Sequence, residues 1–197
     1  MNQKLTPFTV FLLILPTLLW ASNAVVGKLV VALVPPITLN FFRWLLAFVL
    51  LLFFGGRVLA PRSELWSHWR YYAALGLTGI GLYNALQYLA LQTSGPINVT
   101  LVGASMPIWV LVIGRLFFHA AISMQQFSGA LLSLTGVLVV LTRGQPAELM
   151  DLRFVPGDLF MVLATIAWAF YSWLLSLAKD PPSIKGHWAQ ALLAQVL

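Results

Sequence analysis

The chain contains no cysteine, which excludes a disulfide framework and a thiolate metal site. Charge is nearly as scarce. Only 8% of its 197 residues are Asp, Glu, Lys or Arg, against about a quarter in a soluble domain. Five residues are acidic, and none falls in the middle of an apolar run, so no carboxylate proton relay crosses these runs. The three histidines, His68, His119 and His187, lie in or beside breaks between runs. A general base inside an apolar segment is therefore missing. The 11 Lys and Arg residues give a net charge of +6. They are scattered among the breaks rather than gathered into a stripe, which sets nucleic-acid binding aside. No stretch is low in complexity, and nothing calls for a metal or an organic cofactor.

What is there is apolar. Hydrophobic residues make up 60% of the chain, and a bilayer-spanning helix needs about 20 in a row. Six runs qualify: 8–34, 37–54, 71–92, 97–118, 124–141 and 157–177. The breaks carry turn chemistry at Pro35-Pro36, Gly55-Gly56, Gly95-Pro96, Gly144 with Pro146, and Pro181-Pro182. A seventh run starts near Trp188 and is short at Leu197. The expected fold is an all-α polytopic transmembrane bundle. The first run continues past the small residues Ser22-Asn23-Ala24 to Val34, so it reads as a retained span and not as a cleaved leader. With a cytoplasmic N-terminus, Lys4, Arg57, Arg62, Arg70, Arg115, Lys179 and Lys185 share the inner side. Arg143 and Arg153 take the outer one, the asymmetry of a cell-membrane protein. Trp66, Trp69, Tyr71 and Tyr72 form an interfacial belt.

An internal echo divides the chain. Leu19-Trp20-Ala21, Lys28 and Pro35-Pro36 are followed, five spans later, by Ala167-Trp168-Ala169, Lys179 and Pro181-Pro182. An odd number of spans between copies inverts the second, as in inverted-repeat carriers. Residues 1–145 read as a first five-helix repeat and 146–197 as the truncated start of a second.

The candidate site lies where polar side chains share helix faces. Asn84, Gln87, Tyr88 and Gln92 recur at helical spacing on the third span, and Asn98, Ser105 and Trp109 on the fourth. Lipid gives amides no hydrogen bond, so such stripes face a protein interior or a watery cavity. Trp20, Asn23 and Gly27 share a face of the first span. Thr165, Trp168, Ser172 and Ser176 share one on the sixth, with Tyr171 beside them. Rings mixed with small polar groups suit a solute with an apolar body and a polar end. Lys28 and Arg43 are the only charges deep in spans. Lys28 either snorkels to the interface or binds solute. Arg43 shares a face with Asn40, Trp44 and Ala47. It either serves carbonyls at a helix end or contacts a substrate carboxylate or phosphate. Gly76, Gly79, Gly81, Gly129, Ser133 and Gly136 read as close helix packing, and Pro16 and Pro107 as mid-span kinks.

These motifs resemble an EamA-type repeat. Carrying the resemblance are Trp20-Ala21-Ser22-Asn23 with Lys28, Pro36 with Phe42-Arg43, Tyr88-x-Ala90-Leu91, and Pro107. So do Gln126-x-x-Gly129 with Thr135-Gly136-Val137, and Gly157-Asp158 with Ala167-Trp168-Ala169. The chain is thereby identified as a member of the drug/metabolite transporter superfamily, near its aromatic amino acid exporters. The resemblance implies ten helices in two inverted five-helix repeats, cytoplasmic termini and a central cavity. It departs from the family pattern at Ala120-Ala121, where a Glu-Arg pair is usual. The expected function is export of small organic solutes, amino acids or related metabolites, by alternating access through a bacterial inner membrane. The expected partners are the bilayer, the solute and the remaining helices of the second repeat. A channel or scaffold subunit is the alternative. An intramembrane enzyme is a further one, since Gly103-Ala104-Ser105-Met106 is similar to a serine-protease nucleophile loop without its second glycine.

Overall fold

The computed structural model describes residues 6–142, 144–145, 155–177 and 179–197. Lys4, Arg143 and Arg153, which carry part of the charge asymmetry, and Pro146 lie outside them. The described residues are helical, with no strand among them. Proline opens four of the nine α-helices among the described residues, because its missing N–H falls where a first helical turn has no partner for one. It does so for α1 (Pro7–Val30), α2 (Pro36–Gly55), α5 (Pro96–Gly103) and α8 (Pro156–Ser176). Thr6 caps α1 through its hydroxyl, which accepts from the Thr9 N–H at 3.2 Å. A short 3-10 turn, Gly56–Leu59, ends the second run.

The third run is one continuous helix of three pieces. These are α3 (Trp69–Leu75), a π-helical segment (Gly76–Leu82) and α4 (Tyr83–Thr93). Widened turns leave carbonyls without their usual partners. Here the Asn84 Nδ2 amide donates to Gly79 O at 3.0 Å and Ile80 O at 3.2 Å. The fourth run is broken in its middle. Pro107 has no N–H for the carbonyl four residues back, so α5 stops at Gly103 and α6 (Met106–Phe117) begins after a turn at Ala104-Ser105. The kink expected at Pro107 thus falls just upstream of it. The remaining helices are α7 (Met124–Leu141) and α9 (Trp188–Val196).

Among the described residues, four helices are long and apolar enough to cross a membrane: Pro7–Val30, Pro36–Leu59, Pro96–Phe117 and Pro156–Ser176. The third run falls outside that set because its helix carries the amides of the candidate site. The fifth is a shorter apolar helix.

Helix α8 is the hub of the bundle, packing on α4, α5 and α6, while α1 runs along α4 and α9 along α2. One core joins Val31, Tyr88, Leu91, Val99, Met161 and Ala164. A second, towards α9, joins Leu51, Tyr72, Leu75 and Leu193. Four glycines permit the closest approaches: a methyl group at Gly76 would run into Gln195 O, one at Gly114 into the Trp173 indole, one at Gly157 into Ala90 O and one at Gly79 into the Tyr171 ring. Gly129 and Gly136 meet nothing within 4 Å. The packing expected there is absent because that face of α7 is exposed.

Candidate functional site

The polar side chains of α1, α2 and α4 close on one guanidinium. Arg43 Nη1 donates to Asn23 Oδ1 at 2.7 Å and to the Tyr88 hydroxyl at 2.5 Å, and Nη2 donates to Asn84 Oδ1 at 2.6 Å. Tyr88 in turn donates to Asn23 Oδ1 at 2.8 Å, and Asn23 Nδ2 lies 3.4 Å from Gln87 Oε1. The Arg43 Cζ atom stands 5.4 Å from the Trp44 ring and 5.5 Å from the Tyr88 ring, within cation–π range. Asn84, Gln87 and Tyr88 are buried.

All three Arg43 acceptors are neutral. Each described carboxylate is engaged elsewhere: Asp158 with Ser94, Asp180 with Tyr72, and Glu64 with Ser183. A cation at the bilayer centre costs about 2.5–3.5 kcal/mol on insertion scales. Neutral oxygens offset part of this cost by replacing water, without cancelling the charge.

The second cluster is aromatic. Trp20 of α1 and Trp168 of α8 stack with ring centroids 5.6 Å apart and planes at 29°. Tyr83 lies 4.7 Å from Trp168 and 6.4 Å from Trp20, and Tyr171 lies 5.0 Å from Trp168. Contacts between α1 and α4 advance together, Trp20 with Tyr83 and Asn23 with Gln87, so the two helices run parallel. Rings and amides are therefore offset in the same direction, by about one turn or 5.4 Å.

Lys28 reaches the end of α4. Its ammonium donates to Leu91 O at 2.6 Å and Ser94 O at 3.0 Å, closing the C-terminus of α4, where the helix dipole favours a cation. Ser94 donates to Asp158 Oδ1 at 2.5 Å, and Asp158 Oδ2 accepts from the Val155 N–H at 2.9 Å. Asp158 thus caps α8 and ties it to the turn that Lys28 holds.

The other expected positions stand apart. Gln92 is exposed, because the last turn of α4 carries it past the buried face. Asn98 and Trp109 are half-buried, and no side-chain hydrogen bond joins either to the Arg43 network among the described residues. Ser105 turns its hydroxyl onto Val102 O at 2.6 Å. Thr165, Ser172 and Ser176 likewise bond their own helix, so the expected polar lining of α8 is reduced to its rings. A cleft of about 450 Å³ opens elsewhere, between the α3–π stretch and α9, bounded by Trp66, Trp69, Tyr72 and Gly76. It includes none of the expected site residues. Sequence reasoning missed Tyr83, whose signal was its place one turn before Gln87 on the amide face. It also missed Trp173, whose indole donates to Val110 O at 2.7 Å and fastens α8 to α6.

Apolar helices arranged around an intramembrane cation and a ring cluster define a polytopic helical membrane protein with a polar centre. The chain belongs to the EamA-like transporter family, which its residues 7–142 match. An uncharacterized transporter of Archaeoglobus fulgidus is 31% identical over 174 residues, covering 87% of this chain and 57% of that protein. The uncharacterized transporter YyaM of Bacillus subtilis is 29% identical over 100 residues, covering 51% of this chain and 33% of that protein. The chain thus spans little more than half the length of the first relative, and less of the second. No solved structure matches.

Proposed function

We propose that this chain supplies one side of the solute path of a carrier exporting small organic solutes, amino acids or related metabolites, by alternating access. Residues 1–145 form its first five-helix repeat and 146–197 begin the second, with the N-terminus in the cytoplasm of a bacterial cell. The observation that carries the reading is the pairing of a charge-unbalanced Arg43 with the rings of Trp20 and Trp168 one turn away. A solute with a polar end and an apolar body meets both. Asn23, Asn84, Gln87 and Tyr88 present Arg43. Tyr171 and Tyr83 back the indoles. Asn98, Ser105 and Trp109 line the path farther along the fourth run, and Lys28 holds the outer junction. Alternating access draws on the two places where the helices are already interrupted, the π segment beside Asn84 and the turn at Ala104-Ser105.

The test is counterflow of radiolabelled amino acids and aromatic metabolites into liposomes holding the purified full-length protein. Saturable, stereoselective flux that Trp168→Ala weakens supports the reading. Linear flux without competition would point to a channel.

A further inference from the structure

Among the described residues, Asn84 alone is hydrogen-bonded both to Arg43 and to the π segment (Gly76–Leu82). Its Oδ1 accepts from Arg43 Nη2 at 2.6 Å, and its Nδ2 donates to Gly79 O at 3.0 Å and Ile80 O at 3.2 Å. Chemistry fixes which way this amide points. A guanidinium only donates and a carbonyl only accepts, so a flipped amide would satisfy neither. An ionised Asp here would have no donor, and Leu would have neither group.

The two ends of the amide are not independent. A bond to a cation is about twice as strong as one between neutral groups. It also polarises the amide, so that its N–H groups donate more strongly. The cation on α2 therefore tightens the hold on two carbonyls of the third run. Those carbonyls belong to a segment with little side-chain bulk to fix its register, since three of its seven residues are glycines. Yet what the segment touches depends on that register. Gly79 faces the Tyr171 ring of α8, and Gly76 faces Gln195 O of α9, both too close for a Cβ. The Tyr171 hydroxyl donates to Gln195 Oε1 at 3.2 Å. Loss of the extra π residue would turn α3 by roughly 100° against α4. That turn would part these contacts and draw the Tyr72 hydroxyl from Asp180.

Given that the chain is part of a solute carrier, we infer that Asn84 is a positioning residue tying Arg43 to the register of the π segment. A solute that shifts the guanidinium, or takes up part of its charge, weakens the grip of Asn84 on the Gly79 and Ile80 carbonyls. The segment then moves toward α-helical turns, and α3 loosens from α8 and α9. Occupancy at α2 thus reaches the far side of the third run through bonded groups.

The experiment is amide hydrogen exchange over residues 76–83, read by mass spectrometry on the purified full-length protein in lipid nanodiscs. Asn84→Asp keeps an acceptor for Arg43 and loses the donors, and is expected to quicken exchange about tenfold. Arg43→Gln removes the cation from another helix and leaves Asn84 intact, and is expected to quicken it about fivefold. Arg43→Lys keeps the charge and is expected to stay within about twofold of the parent. Lys28→Met lowers stability without touching Asn84 and is expected to leave this segment unchanged, which separates coupling from general loosening. A saturating mixture of amino acids, the probe also used in counterflow, is expected to quicken exchange in the parent and not in Asn84→Asp. Exchange that matches the parent in Asn84→Asp or in Arg43→Gln overturns the inference. So does Arg43→Lys or Lys28→Met quickening it as much as Arg43→Gln, or a mixture that is carried in counterflow yet leaves exchange in the parent unchanged. Should Arg43→Gln fail to fold, Asn84→Asp decides by itself. If the mixture is neither carried nor changes exchange, the amino-acid reading of the carrier fails, and the variants still decide the coupling.

Discussion

Lys28 and Arg43 are both cations set into apolar helices, yet their surroundings differ in kind. Lys28 meets two carbonyls at the end of α4, and one of them belongs to Ser94, whose hydroxyl reaches the Asp158 carboxylate. Charge is balanced across that junction, and three helices meet at it. Arg43 meets three neutral oxygens and, among the described residues, retains two unmet N–H groups and has no acid as a partner. A cation paired with helix-end carbonyls and a nearby acid holds structure together. A cation supported only by neutral groups remains available to an anion.

Substitution can break this contrast. The largest effect is expected at Arg43. Arg43→Gln should reduce solute affinity about a hundredfold, near 2.7 kcal/mol, as measured by counterflow. Full affinity in that variant would make Arg43 as structural as Lys28 and end the comparison. Lys28→Met should do the opposite. Leaving two carbonyls unmet costs about 1–3 kcal/mol of stability, seen as a lower melting temperature, while KM for solute stays unchanged. Gly157→Ala tests the same junction from the other side. Its methyl group would meet Ala90 O, and the overpacking should cost about 1–3 kcal/mol, again with KM unaffected. Gln92→Ala sharpens the comparison by its silence, since an exposed residue without a partner should change stability by less than about 0.5 kcal/mol.

The smallest effect belongs to Glu64, in the loop before α3. Hydrogen bonds from the Ser183 hydroxyl and N–H hold its carboxyl below the usual carboxylate range. A depressed pKa in the fold means that this contact contributes above the ordinary Glu pKa and is lost as pH falls through the depressed value. The group is exposed, so solvent screening keeps the contribution slight. Glu64→Gln should be slightly less stable than the parent at neutral pH, and the gap should close as the pH falls through the acid range, as read by unfolding at a series of pH values.

Much of this was legible from residue spacing. The prolines and paired glycines marked where helices start and stop, because they act on the local backbone. The amides at Asn84 and Gln87, with Tyr88 beside them, pointed inward because lipid cannot satisfy them, and they are buried. Gln92, the next-to-last residue of α4, kept the same period and lost its neighbours, which periodicity cannot register. The hydroxyls of Thr165, Ser172 and Ser176 shared a face with Trp168, but each found a carbonyl within its own helix first. Local bonds of that sort compete with any cavity a sequence pattern suggests.

Composition and periodicity by themselves determined the membrane class, the helix boundaries and the short roster of polar side chains, because each follows from how one segment meets solvent or lipid. Only the tertiary structure decided which cation pairs with what. That choice depends on distances between α1, α2, α4 and α8, whose residues lie tens of positions apart. Packing brings Asn23, Arg43, Asn84 and Tyr88 within hydrogen-bond reach and sends Lys28 to the end of α4.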